Sequence, residues 1–354
     1  MWEKLRQKVR GLVSDDIGID LGTANTLVYV RGRGIIVNEP TVVAVNQKTG
    51  QVVAVGSEAK RMLGRTPEHI TAVQPLTDGV ISDFEVAEEF LAYLIRRVAE
   101  GKKKLFGPRV VIGVPFGTTN VERRAVRDAA LNAGAREVHV VEQPMAAAIG
   151  IRLPVDDASG SMVVDIGGGT TDITVMSLNG VVNGKNIKVA GNRLNNDIIS
   201  YVRDEFKILI GERTAEDLKI HAGAIISGPA PIEVTIRGRD LVTGLPREVV
   251  VTDADVREAI APSIDALVEA IKEVLETTPP EVLADVMRRG IYLVGGGALI
   301  RGFDEFLREW LKVSVYIADD PLTSVARGTG IVLEDLLRFN EVIIDEEHVL
   351  PPQL

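Results

Sequence analysis

Apolar runs that end in an aspartate and a glycine-containing turn occur twice along this chain. Residues 17–30 and residues 162–175 each pass from an apolar segment through such a turn into a β-branched segment. Alternating strand-forming residues on both sides of a tight turn favour a β-hairpin. Asp20 and Asp165 occupy matching positions in the two stretches, so the chain contains an internal repeat.

The turn of each predicted hairpin has the chemistry of a phosphate-binding loop. Glycines let the backbone approach a bulky anion and direct several N–H groups toward it. An aspartate at the strand end is placed to hold a hydrated Mg²⁺ against the same anion. Two such hairpins facing each other would bind a triphosphate from both sides of a cleft. Ordinary glycine turns would explain either hairpin alone, but the pair occurs together with a third glycine loop.

This third loop follows an apolar strand predicted over residues 291–294. Gly295, Gly296 and Gly297 lead from that strand into a helical pattern, an order that suits close approach to a base or sugar beside a helix N-terminus. A dinucleotide-binding Rossmann fold is the competing explanation, but its glycine spacing differs and it has no place for the two hairpins. No Gly-Lys-Ser/Thr follows any glycine cluster, which excludes a Walker-type loop.

Periodicity elsewhere predicts an α/β protein of two domains, residues 14–157 and 158–337, with a tail over 338–354. Segments of about 45–77 and 194–257 are predicted to be small insertions on these domains. Residues 179–246 have a mainly helical and polar pattern. Helices are predicted at 58–63, 85–100, 122–133, 202–210, 216–221, 253–275 and 324–337, and strands at 41–45, 51–55, 109–115, 138–141 and 232–236.

Composition excludes several function classes. The 354 residues contain no cysteine, which excludes a disulfide framework and a zinc-thiolate site and fits a reducing cytoplasm. The four histidines lack ligand spacing. A net charge of −10 argues against nucleic acid as a partner. No apolar run reaches membrane-spanning length, and no signal peptide is visible.

The first 13 residues are a basic exception to this acidity. As a helix they would align Trp2, Leu5, Val9 and Leu12 on one apolar face, with lysines and arginines outside it. Such a helix can lie in a membrane interface. A helix packed on the first domain and a disordered tail are the alternatives.

A second apolar feature, Leu105 and Phe106, follows three lysines in a predicted turn. Apolar residues in a turn are usually core residues of a loop that folds back. Beside the basic N-terminal helix, this pair could instead form a second membrane contact.

Several motifs together resemble the MreB family of bacterial actin homologues. They occur in order over about residues 16–337. They are Asp20-Leu-Gly-Thr-Ala-Asn-Thr, Asn38-Glu-Pro, Val121-Glu-Arg-Arg-Ala, Gln143-Pro-Met-Ala-Ala-Ala-Ile-Gly, Asp165-Ile-Gly-Gly-Gly-Thr-Thr, Gly211-Glu-Arg-Thr-Ala-Glu, Thr278-Pro-Pro-Glu and Gly295-Gly-Gly. The wider superfamily includes actin, sugar kinases and large heat-shock chaperones, which carry extra domains or larger insertions.

The resemblance implies an actin-like ATPase fold of two related domains, each with a small insertion subdomain, and ATP or ADP with Mg²⁺ in the cleft between them. By position, Asp20 and Asp165 would hold the metal, and Gln143, Asp165 and Thr170 would form the catalytic set. The implied nucleotide-binding residues are Gly22, Thr23, Ala24 and Asn25 in the first loop, Gly167, Gly168, Gly169, Thr170 and Thr171 in the second, Gly295, Gly296, Gly297 and Ala298 beside the adenosine, and Glu216 and Lys219 flanking the base.

The resemblance also implies a function. Members of this family polymerise into filaments, typically paired and antiparallel, on the inner face of the cytoplasmic membrane, where they guide cell-wall synthesis and rod shape. The implied partners are further copies of the chain, the membrane, and the wall-elongation membrane proteins MreC, MreD and RodZ. The N-terminal helix and Leu105-Phe106 match membrane-contact positions of the family.

The chain departs from the family pattern at Gln143, where MreB proteins usually carry a glutamate thought to activate the attacking water. Glutamine can orient a water molecule but cannot take its proton at neutral pH. Glu142 is adjacent, but successive residues entering a helix point in different directions. We therefore predict a weak ATPase whose slow hydrolysis is coupled to assembly.

Two other functions are compatible with the same fold. A small-molecule kinase needs a carboxylate base over the substrate hydroxyl, and Asp172, at a hairpin exit, is the one extra acidic residue in the hairpins. A plasmid-segregation filament would not need Trp2, the basic helix face or Leu105-Phe106.

Overall fold

The computed structural model describes residues 15–99 and 106–344. The predicted helix over residues 1–13, Leu105 and the end of the predicted tail lie outside the described residues. The described part divides into two compact units. The first consists of residues 15–159, Met176–Val182 and 323–344, and the second of Gly160–Val175 and Asn183–Leu322.

Helices and strands both occur throughout the described residues. The strands are β1 (Ile17–Leu21), β2 (Asn25–Val30), β3 (Gly34–Pro40), β4 (Val43–Asn46), β5 (Val52–Val55), β6 (Ile70–Val73), β7 (Leu76–Thr77), β8 (Val80–Ile81), β9 (Arg109–Val114), β10 (Glu137–Glu142), β11 (Ser161–Ile166), β12 (Thr171–Ser177), β13 (Gly180–Ile187), β14 (Ile208–Leu209), β15 (Glu233–Asp240), β16 (Pro246–Thr252), β17 (Ile291–Val294) and β18 (Val315–Ile317). The helices are α1 (Ser57–Met62), α2 (Phe84–Val98), α3 (Asn120–Asn132), α4 (Gln143–Gly150), α5 (Gly191–Phe206), α6 (Glu212–Ala222), α7 (Asp253–Thr277), α8 (Pro280–Arg289), α9 (Phe303–Leu311) and α10 (Ser324–Glu334).

Two five-stranded sheets have the same strand order. The first reads β10-β9-β1-β2-β3, and the second, read from its other edge, is β18-β17-β11-β12-β13. In each sheet a hairpin lies beside two parallel strands, since β9 runs parallel to β1 and β10, and β17 runs parallel to β11 and β18. The internal repeat predicted from the two hairpins is therefore a repeat of the whole sheet.

Each sheet has its own apolar core. In the first unit, Ile17, Ile19 and Leu21 of β1 are almost fully excluded from solvent, because they pack with α2, β9 and β10. In the second unit, Met162, Val164 and Ile166 of β11 pack with the helices α5 to α7. Burial on both faces explains the continuous apolar runs of these central strands.

Smaller sheets extend both units. Strands β5, β4 and β6 form an antiparallel sheet next to α1, and β14, β15 and β16 form another. Glu39, in β3, is 6% exposed, and its carboxylate accepts hydrogen bonds from the Ser57 backbone N–H (2.8 Å) and hydroxyl (2.7 Å). This carboxylate therefore fastens the start of α1 to the first sheet, which gives the Asn38-Glu-Pro motif a structural role.

Several predicted elements differ from the structure. The helix predicted over 202–210 ends at Phe206 because Lys207 adopts a left-handed conformation (φ 56°) and Ile208–Leu209 is a strand. The helical pattern assigned to 179–246 is wrong at Gly180–Ile187, where a partly exposed strand forms. The last helix ends at Glu334, and residues 41–42 lie between two strands.

The last helix, α10, groups with the first unit, whereas the sequence-based boundary assigned it to the second domain by chain order. It packs closely on α4, because a Cβ on Gly328 would lie 1.7 Å from the Ala146 carbonyl oxygen. A Cβ on Gly150 would likewise lie 2.0 Å from the Ser324 carbonyl oxygen. Glycine at both positions lets the two backbones touch, a tertiary contact that periodicity does not reveal.

Candidate functional site

The first hairpin turns tightly at Gly22. Strands β1 and β2 pair antiparallel, with Asp20 opposite Leu27, and a Cβ on Gly22 would lie 2.5 Å from the Asn25 carbonyl oxygen. A side chain at this position would therefore force the turn open. Asp20 is the second-last residue of β1, next to the turn, as the sequence predicts.

Thr41 holds the backbone of this turn. Its hydroxyl donates to the Gly22 carbonyl (2.7 Å) and its N–H donates to the Ala24 carbonyl (3.0 Å). The C=O and the following N–H of a planar trans peptide point in opposite directions, so the N–H groups of Thr23 and Asn25 are directed away from Thr41. Thr41 was missed in the sequence analysis, where the only available signal was a polar residue at the edge of an apolar strand.

Asp20 lies beside Gln143. Gln143 is the first residue of α4 and is 8% exposed, and its Nε2 donates to Asp20 Oδ1 over 3.3 Å. Glu142 has a different environment: burial raises its pKa, while the Gly117 N–H and Arg123 oppose that rise. The two neighbouring side chains therefore have different partners, as expected for successive residues at a helix start.

The second hairpin is closed by its own backbone and by the start of α5. The Gly167 N–H donates to the Thr170 carbonyl (3.0 Å). The carbonyls of Gly167 and Gly168 accept from the N–H groups of Gly191 (3.0 Å) and Asn192 (2.8 Å). By the same peptide geometry, the N–H groups of Gly168 and Gly169 are directed away from α5. This turn thus presents adjacent backbone donors on one side, which is the arrangement that binds an anion.

The two threonines of this turn differ in their partners. Thr170, 7% exposed, supplies the carbonyl that closes the turn. The Thr171 hydroxyl donates to the Val189 carbonyl over 2.6 Å, so its proton is engaged within the protein. Asp172 is 2% exposed and accepts from Asn186 Nδ2 over 2.6 Å. Its carboxylate is therefore bonded to the neighbouring strand β13, which does not suit a kinase base.

Asp165, near the end of β11, is a buried carboxyl group whose pKa departs from its ordinary value. It is 8% exposed, and burial raises its pKa to about 6. A Cβ on Gly295 would lie 2.5 Å from Asp165 Oδ1, so the third glycine loop covers this carboxylate. Ionising a buried carboxyl group costs free energy, and a nearby cation favours the ionised form.

The raised pKa of Asp165 predicts a pH-dependent cost to stability. The pKa of this carboxyl group in the folded state lies above the ordinary aspartate value, so the folded state binds the proton more tightly than the unfolded state. The free energy of unfolding therefore falls as pH rises from the ordinary aspartate pKa to the folded one. In the absence of metal and nucleotide, the stability of Asp165→Asn relative to the native chain should increase between about pH 4 and pH 6, by up to roughly 3 kcal/mol. Above about pH 6 the difference should stay constant.

Urea unfolding across this pH range measures the difference between the two proteins, and Asp265→Asn, at an exposed position of α7, is the matched control. A constant difference at every pH would contradict the assignment of the burial cost to Asp165.

The third glycine loop lies against the end of β11. β11 and β17 pair in parallel with Asp165 opposite Val294. Gly295 has φ 77° and donates its N–H to the Pro321 carbonyl over 3.0 Å. A Cβ on Gly297 would lie 2.2 Å from Ile166 Cγ2. Residues Gly296–Leu299 form one turn of 3₁₀-helix, so Ala298 is helical and buried, and α9 starts only at Phe303.

Glu216 and Lys219 lie on α6 and form an ion pair of 2.8 Å. Arg301, at the end of the third loop, donates from Nη2 to the His221 carbonyl (3.0 Å) and from Nε to the Gly223 carbonyl (3.1 Å). It therefore connects the third loop to the C-terminal end of α6. Arg301 was missed in the sequence analysis, and no local pattern marks it.

The predicted membrane residues are mostly outside the described part of the chain: Trp2, Leu5, Val9, Leu12 and Leu105. Phe106 is described and is 56% exposed. Across residues 15–99 and 106–344, every helix is too short or too polar to cross a membrane.

No cluster of three or more His, Cys, Asp or Glu side chains able to hold a metal ion occurs in the described residues. A metal at Asp165 would therefore need oxygen ligands from water or phosphate. Mg²⁺ meets this condition, since it usually binds through one or two carboxylates plus waters and substrate phosphates.

Comparisons with known proteins agree on one family. The family model described as MreB/Mbl protein matches residues 14–341. The cell shape-determining protein Mbl of Bacillus subtilis (strain 168) is 49% identical over 322 residues, covering 91% of this chain and 96% of that protein. The cell shape-determining protein MreB of Escherichia coli (strain K12) is 49% identical over 345 residues, covering 96% of this chain and 99% of that protein.

Solved structures give the same result for the fold. The crystal structure of MreB5 of Spiroplasma citri bound to ADP has a TM-score of 0.87 and 38% identity, and covers 91% of this chain and 97% of that one. The cryo-EM structure of the MamK filament has a TM-score of 0.74 and 25% identity, over 91% of this chain and 98% of that one.

Proposed function

The chain belongs to the MreB/Mbl protein family and has the actin-like α/β fold, and from this premise we propose that it is a cell-shape-determining cytoskeletal ATPase. It binds ATP with Mg²⁺, polymerises into membrane-attached filaments that are paired and antiparallel, and organises cell-wall synthesis in a rod-shaped bacterium. Its expected location is the cytoplasm, at the inner face of the membrane.

The observation that carries this proposal is the duplicated hairpin. Each unit has a glycine turn whose carbonyls are held by a neighbouring segment, Thr41 in the first unit and the start of α5 in the second. This directs the N–H groups of Thr23 and Asn25 in the first turn, and those of Gly168 and Gly169 in the second, away from the supporting segment, where a phosphate can accept hydrogen bonds from them. Ordinary hairpin turns do not need this second layer of support.

Bound nucleotide in relatives supports the same conclusion. MreB5 of Spiroplasma citri has been solved with ADP and with AMPPNP. The residues proposed for this chain are those named above: residues 22–25 and 167–171 for the phosphates, 295–298 for the adenosine, and Glu216 with Lys219 near the base.

A metal ion fits the buried carboxylate of Asp165, because burial raises the pKa of this group to about 6. We propose Asp165 and Asp20 as the carboxylates that hold the hydrated Mg²⁺. When bound, the metal supplies charge neutralisation for the phosphates. The protein's own part is to hold Asp165 in a nearly dry position, which strengthens its attraction for a cation.

Hydrolysis is proposed to depend on Gln143 and the backbone of the hairpins. The Gln143 amide is fixed by its hydrogen bond to Asp20, so it can orient a water molecule but not deprotonate it. Stabilisation of the transferred phosphoryl group then comes from backbone N–H donors such as those of Gly168 and Gly169. Without a general base, ATP hydrolysis is expected to be slow and to follow assembly.

Self-association is proposed from the family and from the MamK filament. Further proposed partners are the membrane surface and the wall-elongation proteins MreC, MreD and RodZ. Sedimentation tests the polymer directly: the protein should pellet at high speed with Mg²⁺-ATP and stay in the supernatant when both are omitted. A protein that remains in the supernatant under every nucleotide condition would contradict the filament.

Membrane attachment gives a separate prediction. The full chain should co-sediment with anionic vesicles, and deletion of residues 2–13 should weaken this binding about tenfold or more, because the deleted segment carries both the apolar face and the positive charge. Phe106→Ser, at a side chain that is 56% exposed, should weaken it further.

Vesicles of neutral lipid serve as one control, and Val121→Ser, at an exposed residue of α3, serves as the matched surface variant. If the full chain does not bind anionic vesicles at all, the proposed attachment is wrong.

A further inference from the structure

Three segments of the second unit meet at Gly191. Its N–H donates to the Gly167 carbonyl of the second hairpin over 3.0 Å. Its carbonyl accepts from Lys219 Nζ of α6, also over 3.0 Å. A Cβ on Gly191 would lie 3.2 Å from Lys219 Nζ, 3.4 Å from the Gly167 oxygen and 3.6 Å from Gly168 Cα. The hairpin, the start of α5 and α6 are thus in direct contact through one residue.

The Lys219 ammonium is held firmly at this junction. Its side chain is only 12% exposed, and Nζ lies 2.8 Å from Glu216 Oε2. The same carboxylate oxygen accepts from Asn195 Nδ2 over 2.7 Å, and Asn195 is 2% exposed. Two of the three ammonium donors are therefore engaged, one with a carboxylate that is itself fixed and one with the Gly191 carbonyl.

Lys219 and the second hairpin are bonded to opposite ends of the same residue. A hydrogen bond from an ammonium group to a carbonyl is charge-assisted and therefore strong. It fixes the peptide that follows Gly191, while the Gly191 N–H fixes the Gly167 carbonyl. The Gly167 carbonyl in turn sets the direction of the Gly168 N–H, because the peptide that joins them is planar.

We propose that Lys219 is a positioning residue for the second phosphate hairpin and acts through Gly191. This deepens the proposed nucleotide site and rests on it. The family resemblance puts Lys219 beside the base, where it would contribute equally to every ligand that carries the base. A positioning role instead makes its contribution grow with the phosphates, since only phosphates contact the hairpin N–H groups.

The two roles are separated by titrating the native chain and Lys219→Met with two probes, adenosine and Mg²⁺-ATP. Methionine keeps most of the apolar length of the side chain but cannot donate to Gly191. We expect the dissociation constant for ATP to rise about tenfold or more, which is the effect of one charge-assisted hydrogen bond, and that for adenosine to change by less than about twofold. An equal loss for both probes, or no loss for ATP, would overturn the proposal.

Gly191→Ala provides an independent variant that leaves Lys219 intact. Its Cβ would lie 3.2 Å from Lys219 Nζ, which is closer than usual, so the ammonium group must shift at the Gly191 carbonyl. We therefore expect weaker ATP binding and unchanged adenosine binding. Because both substitutions disturb the same contact, the double variant should lose less ATP affinity than the product of the two single losses. Independent, multiplicative losses would mean that Gly191 does not transmit the effect of Lys219.

Lys272→Met is the matched control, at a lysine of α7 whose side chain is 50% exposed, and it should bind both probes like the native chain. Thermal unfolding of each variant separates loss of fold from loss of phosphate binding. If the native chain itself fails to bind ATP, the proposed function is wrong; if it binds ATP and Lys219→Met loses both probes equally, only the positioning role is wrong.

Discussion

Asp165→Asn should lower Mg²⁺-dependent phosphate release about a hundredfold or more, the size of effect seen when one preorganised electrostatic group is removed. The native carboxylate is buried, and its raised pKa, about 6, shows that the site disfavours the negative charge unless a cation is near. A neutral amide of almost the same shape keeps the packing of β11 but gives the metal no charge to bind.

The same variant should separate activity from stability. Without ligand it should be at least as stable as the native chain, because the burial cost of the charge is gone. Mg²⁺-ATP should raise the melting temperature of the native chain but not that of the variant, as expected when a ligand binds only one of them. Asp265→Asn should behave like the native protein in both measurements. Full phosphate release with an ordinary Mg²⁺ requirement in Asp165→Asn would contradict the proposed metal site.

Gln143→Glu should raise filament-dependent phosphate release about tenfold or more. The glutamine amide donates to Asp20 Oδ1 over 3.3 Å, so a glutamate at this position would have a second carboxylate beside it. Neighbouring carboxylates raise one another's pKa, which brings the new group closer to the range of a general base at neutral pH. General bases typically contribute 10²–10⁴-fold, and about tenfold is expected here because the site evolved around glutamine.

Loss of the amide donor has a predicted cost as well. Without Mg²⁺ the two carboxylates repel, so Gln143→Glu should unfold at a lower temperature than the native chain, and added Mg²⁺ should restore much of the difference. Gln51→Glu, which adds the same charge at an exposed position of the small insertion, controls for net charge. If Gln143→Glu gives no rise in phosphate release while filaments still form, Gln143 does not occupy the water-positioning role.

Local patterns were sufficient for the elements that carry the proposed site. Both hairpins, the strand before the third glycine loop and the long helix predicted at 253–275, observed as Asp253–Thr277, follow from alternation, periodicity and glycine chemistry. These signals are strong because the strands are buried on both faces and the turn at Gly22 has no room for a side chain. The family resemblance then added residue roles that spacing alone does not give.

Contacts between distant segments were not predictable in this way. The bonds from Thr41 to the first turn, from Gly191 to the second, and from Arg301 to the end of α6 join residues that lie far apart in sequence. Each bond depends on tertiary packing, and no local pattern in the sequence indicates it. Strand β13 was missed for a related reason, since its partly exposed, mixed polar positions have no clear two-residue alternation.

The proposed nucleotide-dependent assembly on a membrane is tested most directly by electron microscopy of the purified full chain with Mg²⁺-ATP on an anionic lipid monolayer, with phosphate release followed in parallel. We expect paired filaments on the lipid, absent without nucleotide, together with slow phosphate release. A protein that stays monomeric on lipid and consumes ATP only when a sugar is offered would contradict the filament and identify a kinase instead.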